Sequence, residues 1–174
     1  MKNYKELLIN IDTFIFDVDG VLTDGTLTIT NNGDMLRSMN VKDGYALKSA
    51  LDAGYNIAII SGGTNEGVRT RLKALGVEFI YLGAHNKLEQ LNSFINSCNV
   101  DLNNTLYMGD DIPDIPVLKI AGLSCCPHDA VNEVKSICNY VSNKNGGKGA
   151  VRDVIEQVMK IHGKWNSFDN AQID

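Results

Sequence analysis

The chain is poor in the residues that mark most specialised proteins: its 174 residues include three prolines, one tryptophan and four cysteines. Cys98, Cys125, Cys126 and Cys138 form no C-x-x-C pair and have no histidine at zinc spacing. That pattern argues against a disulfide framework or a zinc site, and points to free thiols in a reducing, cytoplasmic interior. No stretch approaches the roughly 18 apolar residues of a membrane span. The opening MKNYKELLINIDTF carries acidic residues and too short an apolar run for a signal segment, so no membrane contact is expected. Basic residues are not in excess. A formal net charge of −5 and a pI near 5.1 disfavour a nucleic-acid partner. Repeats, low-complexity tracts and linkers dividing two cores are all missing. One domain is therefore expected over residues 1–164, followed by a C-terminal tail at 165–174.

What is present is an alternation of apolar runs with helical patterns. The run FIFDVDGVLTDG, residues 14–25, predicts a buried strand that ends in two carboxylates, Asp17 and Asp19. The segment that follows, about residues 26–40, alternates around Asn31-Asn32-Gly33 and predicts a β-hairpin. Beyond it, GYALKSALDAG predicts a helix and YNIAIIS a strand. Further strands are expected at EFIYL, TLYMGDD, LSCC and NYVS. Helices are expected over residues 65–76 and 86–98, about 113–121, about 129–137, and over GAVRDVIEQVMKIHG. If LSCC is a strand, Cys125 and Cys126 point to opposite faces. Strands separated by helices of about ten residues imply right-handed βαβ units. The fold class is α/β, a doubly wound, mostly parallel, Rossmann-like sheet with a β-hairpin insertion after the first strand.

In such sheets ligands bind beyond the carboxyl ends of the strands. The polar residues of this chain gather there: Asp17 and Asp19, then Ser61, then Asp110 and Asp111, with Lys87 opening a helix on the same rim. Each alone has a bland reading. An aspartate after a strand is ordinarily a turn former or helix cap, and a single lysine is ordinarily a surface cation. Three strand ends delivering such residues in one βα order make a site the better account. Two carboxylates buried side by side also need a cation or strong donors between them.

The order D-x-D-G-V-x-T-D-G, S-G-G after a strand, a lone Lys, then G-D-D-x-x-D resembles the haloacid dehalogenase-like phosphatase superfamily. Asp17 and Asp19 match its first motif, Ser61 the second, Lys87 the third, and Asp110, Asp111 and Asp114 the fourth. Within it, the hairpin, VKDGYAL and GGKGAVRD are similar to the small tetrameric 3-deoxy-D-manno-octulosonate 8-phosphate phosphatases of lipopolysaccharide sugar synthesis. The resemblance implies a hydrolase in which Asp17 is the nucleophile and Asp19 the general acid and base, which asks for a raised pKa at Asp19. It implies Mg²⁺ held by Asp17, the backbone carbonyl of Asp19 and Asp110, with Asp111 and Asp114 behind them. Ser61 and Lys87 would neutralise phosphoryl oxygens. Thr23, Asp24, Gly25, Gly62 and Gly63 would border the substrate.

The spacing leaves no room for a cap domain, so neighbouring subunits of a homo-oligomer, expected to be a tetramer, would cover the site. Lys148, between the glycines of NKNGGKGAVRD, would help bind the anionic substrate in that assembly. Many members of the branch carry an arginine behind the second motif, where this chain reads Gly62, Gly63 and Thr64. A nine-carbon ulosonate 9-phosphate therefore stays open as the substrate. A signalling receiver domain, which also gathers acidic residues, a Ser or Thr and a Lys on a doubly wound sheet, is the alternative that is not an enzyme.

Overall fold

Thr13–Phe16 form β1, buried on both faces and paired in parallel with β4 (Asn56–Ile60) on one side and β6 (Thr105–Met108) on the other. The structure, a computed structural model, describes residues 3–165, so the expected tail lies outside the described residues except for Trp165. β5 (Phe79–Tyr81), β7 (Leu123–Cys126) and β8 (Tyr140–Val141) complete one parallel sheet in the order β5-β4-β1-β6-β7-β8. Successive side chains of β1 serve opposite layers. Phe14 and Phe16 pack with Leu47 of α2 (Val41–Asp52) and Val154 and Val158 of α7 (Ala150–Ile161). Ile15 packs with Leu91 and Phe94 of α4 (Lys87–Cys98) and Val117 of α5 (Ile115–Leu118). Each such side chain contributes about 2 kcal/mol when fully buried. Cys125 and Cys126 fall in different layers, as neighbours on a strand must.

The helix after the hairpin starts three residues before the sequence pattern suggests. Asn40 accepts the Lys42 N–H at 2.9 Å, and this cap sets the start at Val41 rather than Gly44. Two later helices are shorter than expected. A 3₁₀ turn at Ile112–Asp114, closed by a reciprocal capping box between Asp111 and Asp114, takes up the first half of the segment before α5. Likewise α6 is confined to Asn132–Lys135. The remaining helices are α1 (Tyr4–Leu7) and α3 (Glu66–Ala74).

The hairpin is present but slight. β2 (Thr28–Ile29) and β3 (Met35–Leu36) pair antiparallel around a Thr30–Asp34 turn, where Gly33 takes φ +86°. All four strand residues are exposed. The chain runs from β1 through this hairpin and α2 directly into β4, with no cap domain between them. No helix among the described residues is long and apolar enough to cross a membrane.

Candidate active site

The sheet reverses its winding at β1: the chain goes first to β4 and β5 on one side, then to β6, β7 and β8 on the other. A cleft must open at the carboxyl ends of strands about such a point. A cavity of about 450 Å³ lies there, lined by Asp17, Asp19, Ser61, Gly62, Gly63, Lys87, Asp110, Asp111 and Asp114 among others. All four sequence motifs thus meet in one place. Gly20 and Gly25 line it too, as do Ala84, His85 and Pro113, which the motifs do not flag.

Lys87 organises the floor. Its Nζ donates to Asp114 Oδ1 at 2.6 Å and lies 2.8 Å from Asp17 Oδ2, and all three residues are buried. A lysine in the first turn of a helix opposes the helix dipole, so its placement follows from the two carboxylates rather than from helix stability. Burial works against its charge, yet Asp17 and Asp114 outweigh that and raise its pKa above the usual lysine value.

Asp114 is saturated. Its Oδ1 also accepts from the hydroxyl of Tyr107, and its Oδ2 takes the backbone N–H groups of Asp110 at 3.1 Å and Asp111 at 3.4 Å. Tyr107, on the strand that delivers Asp110, is a site residue that motif reading misses. Buried, and beside Asp114 and Asp17, it is held in its protonated, donating form.

Oxygens of Asp17, Asp110 and Asp114 lie within 4.8 Å of one another. Asp17 Oδ1 accepts the Val18 N–H at 2.6 Å, whereas the carboxylate of Asp110 receives no donor among the described residues. Desolvation, then repulsion from Asp114, pushes Asp17 up to about 6 despite Lys87. Desolvation, then Asp17, pushes Asp110 up to about 7. A divalent cation relieves this crowding, and hard carboxylate oxygens suit Mg²⁺. Asp114 is already committed to four donors, against two for Asp17 and none among the described residues for Asp110, so Asp17 and Asp110 are the carboxylates better able to hold it. Gly20 makes the approach feasible, with φ +83° and with Asp110 Oδ2 2.0 Å from where a β-carbon would stand.

The other expected residues fall differently. Asp19 lines the cavity, but both of its oxygens are bound by Arg37, at 2.6 Å to Nε and 3.0 Å to Nη2. Thr23 is fully buried. Its hydroxyl donates to Val18 O and accepts from the N–H groups of Gly20 and Gly25, shaping the turn after β1. Asp24 faces outward and sits 3.4 Å from Lys148 Nζ.

Lys148 itself lines a separate groove with Lys42, Lys144, Arg152 and Lys160, not the cavity of this chain. Its glycine-rich segment buttresses the turn after β1. Gly147 N–H donates to Val21 O at 2.9 Å, and buried Asp43 accepts from Gly149 N–H at 3.2 Å and Arg152 N–H at 2.8 Å.

Carboxylates on adjacent parallel strands, a buried lysine bridging two of them, and a serine-glycine turn on the next strand define a haloacid dehalogenase-like hydrolase. The profile of that family matches residues 79–155. A 3-deoxy-D-manno-octulosonate 8-phosphate phosphatase of Haemophilus influenzae is 36% identical over 168 residues, 97% of this chain and 93% of the relative. The crystal structure of the Yersinia pestis enzyme of that name superposes with a TM-score of 0.91 at 31% identity, covering 94% of this chain and 88% of that one. That of the Moraxella catarrhalis enzyme, solved with magnesium, phosphate and KDO, does so with a TM-score of 0.88 at 31% identity and 92% of both chains. The chain belongs to the 3-deoxy-D-manno-octulosonate 8-phosphate phosphatase family.

Proposed function

We propose that this protein is a Mg²⁺-dependent phosphatase that hydrolyses 3-deoxy-D-manno-octulosonate 8-phosphate to the free sugar acid and phosphate. The observation that carries this reading is Asp17 at the end of β1, bridged by Lys87 to Asp114 and standing beside the unpaired Asp110. The relatives support the choice of sugar acid over a nine-carbon ulosonate. A receiver domain is disfavoured by D-x-D on the first strand and by the hydrolase relatives.

Asp17 attacks phosphorus, forming a carboxylate–phosphorus bond as the ester bond to the sugar oxygen breaks. Asp19, once released from Arg37 and carrying a proton taken from solvent water, gives that oxygen its proton, then takes one from the water that releases phosphate and regenerates Asp17. Ser61 and Lys87 hold the equatorial phosphoryl oxygens. Mg²⁺ at Asp17, Asp110 and the backbone carbonyl of Asp19 would supply further neutralisation of phosphoryl charge. Asp111 and Asp114 stand behind these ligands, and Gly62 and Gly63 border the phosphate. A phosphate-release screen over sugar acid phosphates, with and without EDTA, tests the reading. The expected result is turnover of the octulosonate ester that EDTA abolishes; turnover undiminished by EDTA would overturn the metal dependence.

The raised carboxyls make a second expectation. Asp17 and Asp110 bind protons more tightly folded than unfolded, so their contribution to stability is full below about pH 4 and is lost as pH rises through about 6 and about 7. Metal-free protein should melt at progressively lower temperature across that window. Mg²⁺ should raise the melting temperature more at pH 8 than at pH 5, because it competes with those protons. A Mg²⁺ shift equal at both pH values, measured by scanning calorimetry, would count against these ligands.

The domain is taken to span residues 1–164. We further propose a homotetramer. The hairpin region exposes Leu27 41%, Ile29 69%, Met35 51%, Leu36 51% and Val41 71%, and a ribbon this short is marginal unless something packs on it. Light scattering should return about four times the 19.0 kDa chain mass. Four cysteines without a disulfide fit a cytoplasmic location.

A further inference from the structure

The charge on the cavity wall is one-sided: Asp17, Asp19, Asp110, Asp111 and Asp114 face one lysine, Lys87, and one histidine, His85. Lys87 is already engaged by Asp17 and Asp114. A sugar acid phosphate brings a carboxylate besides its phosphate, and that second anion needs a cation of its own. Arg37, the residue after β3, is placed to supply it. Its Nε and Nη2 grip the two oxygens of Asp19, and its Nη1 donates to Met35 O at 3.1 Å, which holds the guanidinium plane. Its side chain is 9% exposed against 36% for Asp19. Asp19 is therefore the solvent-facing partner of the pair.

Gly63 supplies an independent sign. It does not take the left-handed backbone that demands glycine, yet a β-carbon there would stand 3.2 Å from Asp19 Oδ2 and 3.3 Å from Arg37 Nη2. The missing side chain leaves space for the pair where Asp19 and Gly63 line the cavity, with Arg37 behind Asp19 and lining a neighbouring groove with Asn65 and Arg71.

We propose that Arg37 is the specificity-determining residue that binds the substrate's carboxylate, and that Asp19 occupies that position in the free protein. A guanidinium fork accepts any carboxylate in the same bidentate geometry, so the exchange conserves its charge-assisted bonds. It also frees Asp19 to turn toward the leaving oxygen. A neutral sugar phosphate offers nothing to exchange and meets Asp19 still tied to Arg37. This inference rests on the phosphatase reading and assigns the selectivity of the same site.

The test is kcat and KM of wild type, Arg37→Ala, Arg37→Lys and Gly63→Ala for 3-deoxy-D-manno-octulosonate 8-phosphate and for glucose 6-phosphate, which has no carboxylate. Competition by free octulosonate against p-nitrophenyl phosphate reads carboxylate binding without requiring hydrolysis of the sugar ester. Arg37→Ala should lower the ratio of kcat/KM between the two sugar esters at least tenfold, mainly through KM for the acid, and weaken octulosonate competition equally. Arg37→Lys should recover part of both, and Gly63→Ala should lower the ratio while keeping every charge. Equal losses on both esters, or an unchanged ratio, would leave Arg37 as a positioning residue for Asp19 only and overturn the proposal. If Arg37→Ala does not fold, the lysine and Gly63→Ala variants decide. Wild type inert on p-nitrophenyl phosphate would instead overturn the phosphatase reading.

Discussion

Asp17→Asn is expected to lower phosphate release by at least ~10³-fold with the fold intact, since losing a nucleophile costs most of an enzyme's rate enhancement. The amide keeps the shape of the carboxylate and cannot form the acyl phosphate. Stability should move the other way. Asp17 is buried, and desolvation together with Asp114 disfavours its charge more than Lys87 and the Val18 N–H favour it. Removing that charge in metal-free protein at pH 8 should leave the melting temperature equal to or above wild type. Mg²⁺ should then raise it less than in wild type, because one of its ligands is weakened. Phosphate release within tenfold of wild type would refute Asp17 as the nucleophile, whatever the melting data showed.

Lys87→Met should be damaging in both respects. The lysine side chain is 6% exposed and holds two carboxylates of which one, Asp114, is itself 1% exposed. Taking away the cation leaves buried charges unpaired, at a cost of about 3–5 kcal/mol. In a domain of this size that lowers the melting temperature by on the order of 10 °C. Turnover should fall ~10²-fold or more, through lost neutralisation of the phosphoryl oxygens. The double variant Lys87→Met with Asp114→Asn separates the two effects: it should recover stability, since one unpaired charge is gone, and no activity. A double variant as unstable as the single one would mean that Asp114 is not the partner responsible.

These two expectations draw on different amounts of sequence information. Asp17, Ser61, Lys87 and Asp110 were legible because each closes an apolar strand or opens the helix after one, and a parallel sheet sends all such positions to one rim. Local chemistry also sufficed for the hairpin, through Asn31-Asn32-Gly33, and for the two faces served by Cys125 and Cys126. Helix ends were less legible. The α2 start depends on the Asn40 side chain bonding Lys42, and α5 is shortened by the Asp111–Asp114 box, both of which are backbone geometry rather than apolar period.

What tertiary structure alone decided is which polar side chains are already occupied. Lys87 and Asp114 are 27 residues apart, Arg37 and Asp19 are 18 apart, and Asp43 and Arg152 are 109 apart. No periodicity links such positions, because their contacts come from strands and loops converging after the chain has wound. The same holds for Thr23 and Lys148. The Thr23 hydroxyl bonds Val18 O within its own turn, and Lys148 lines a separate groove of this chain beside Asp24, in motifs that sequence alone groups with the site. Sequence by itself determined the fold class and the acid-rich rim, since those follow from hydrophobic pattern and strand order. Only the packed chain determined that Asp114 is saturated, Asp110 is open and Asp19 is held by Arg37, because hydrogen-bond partners are chosen by distance in space.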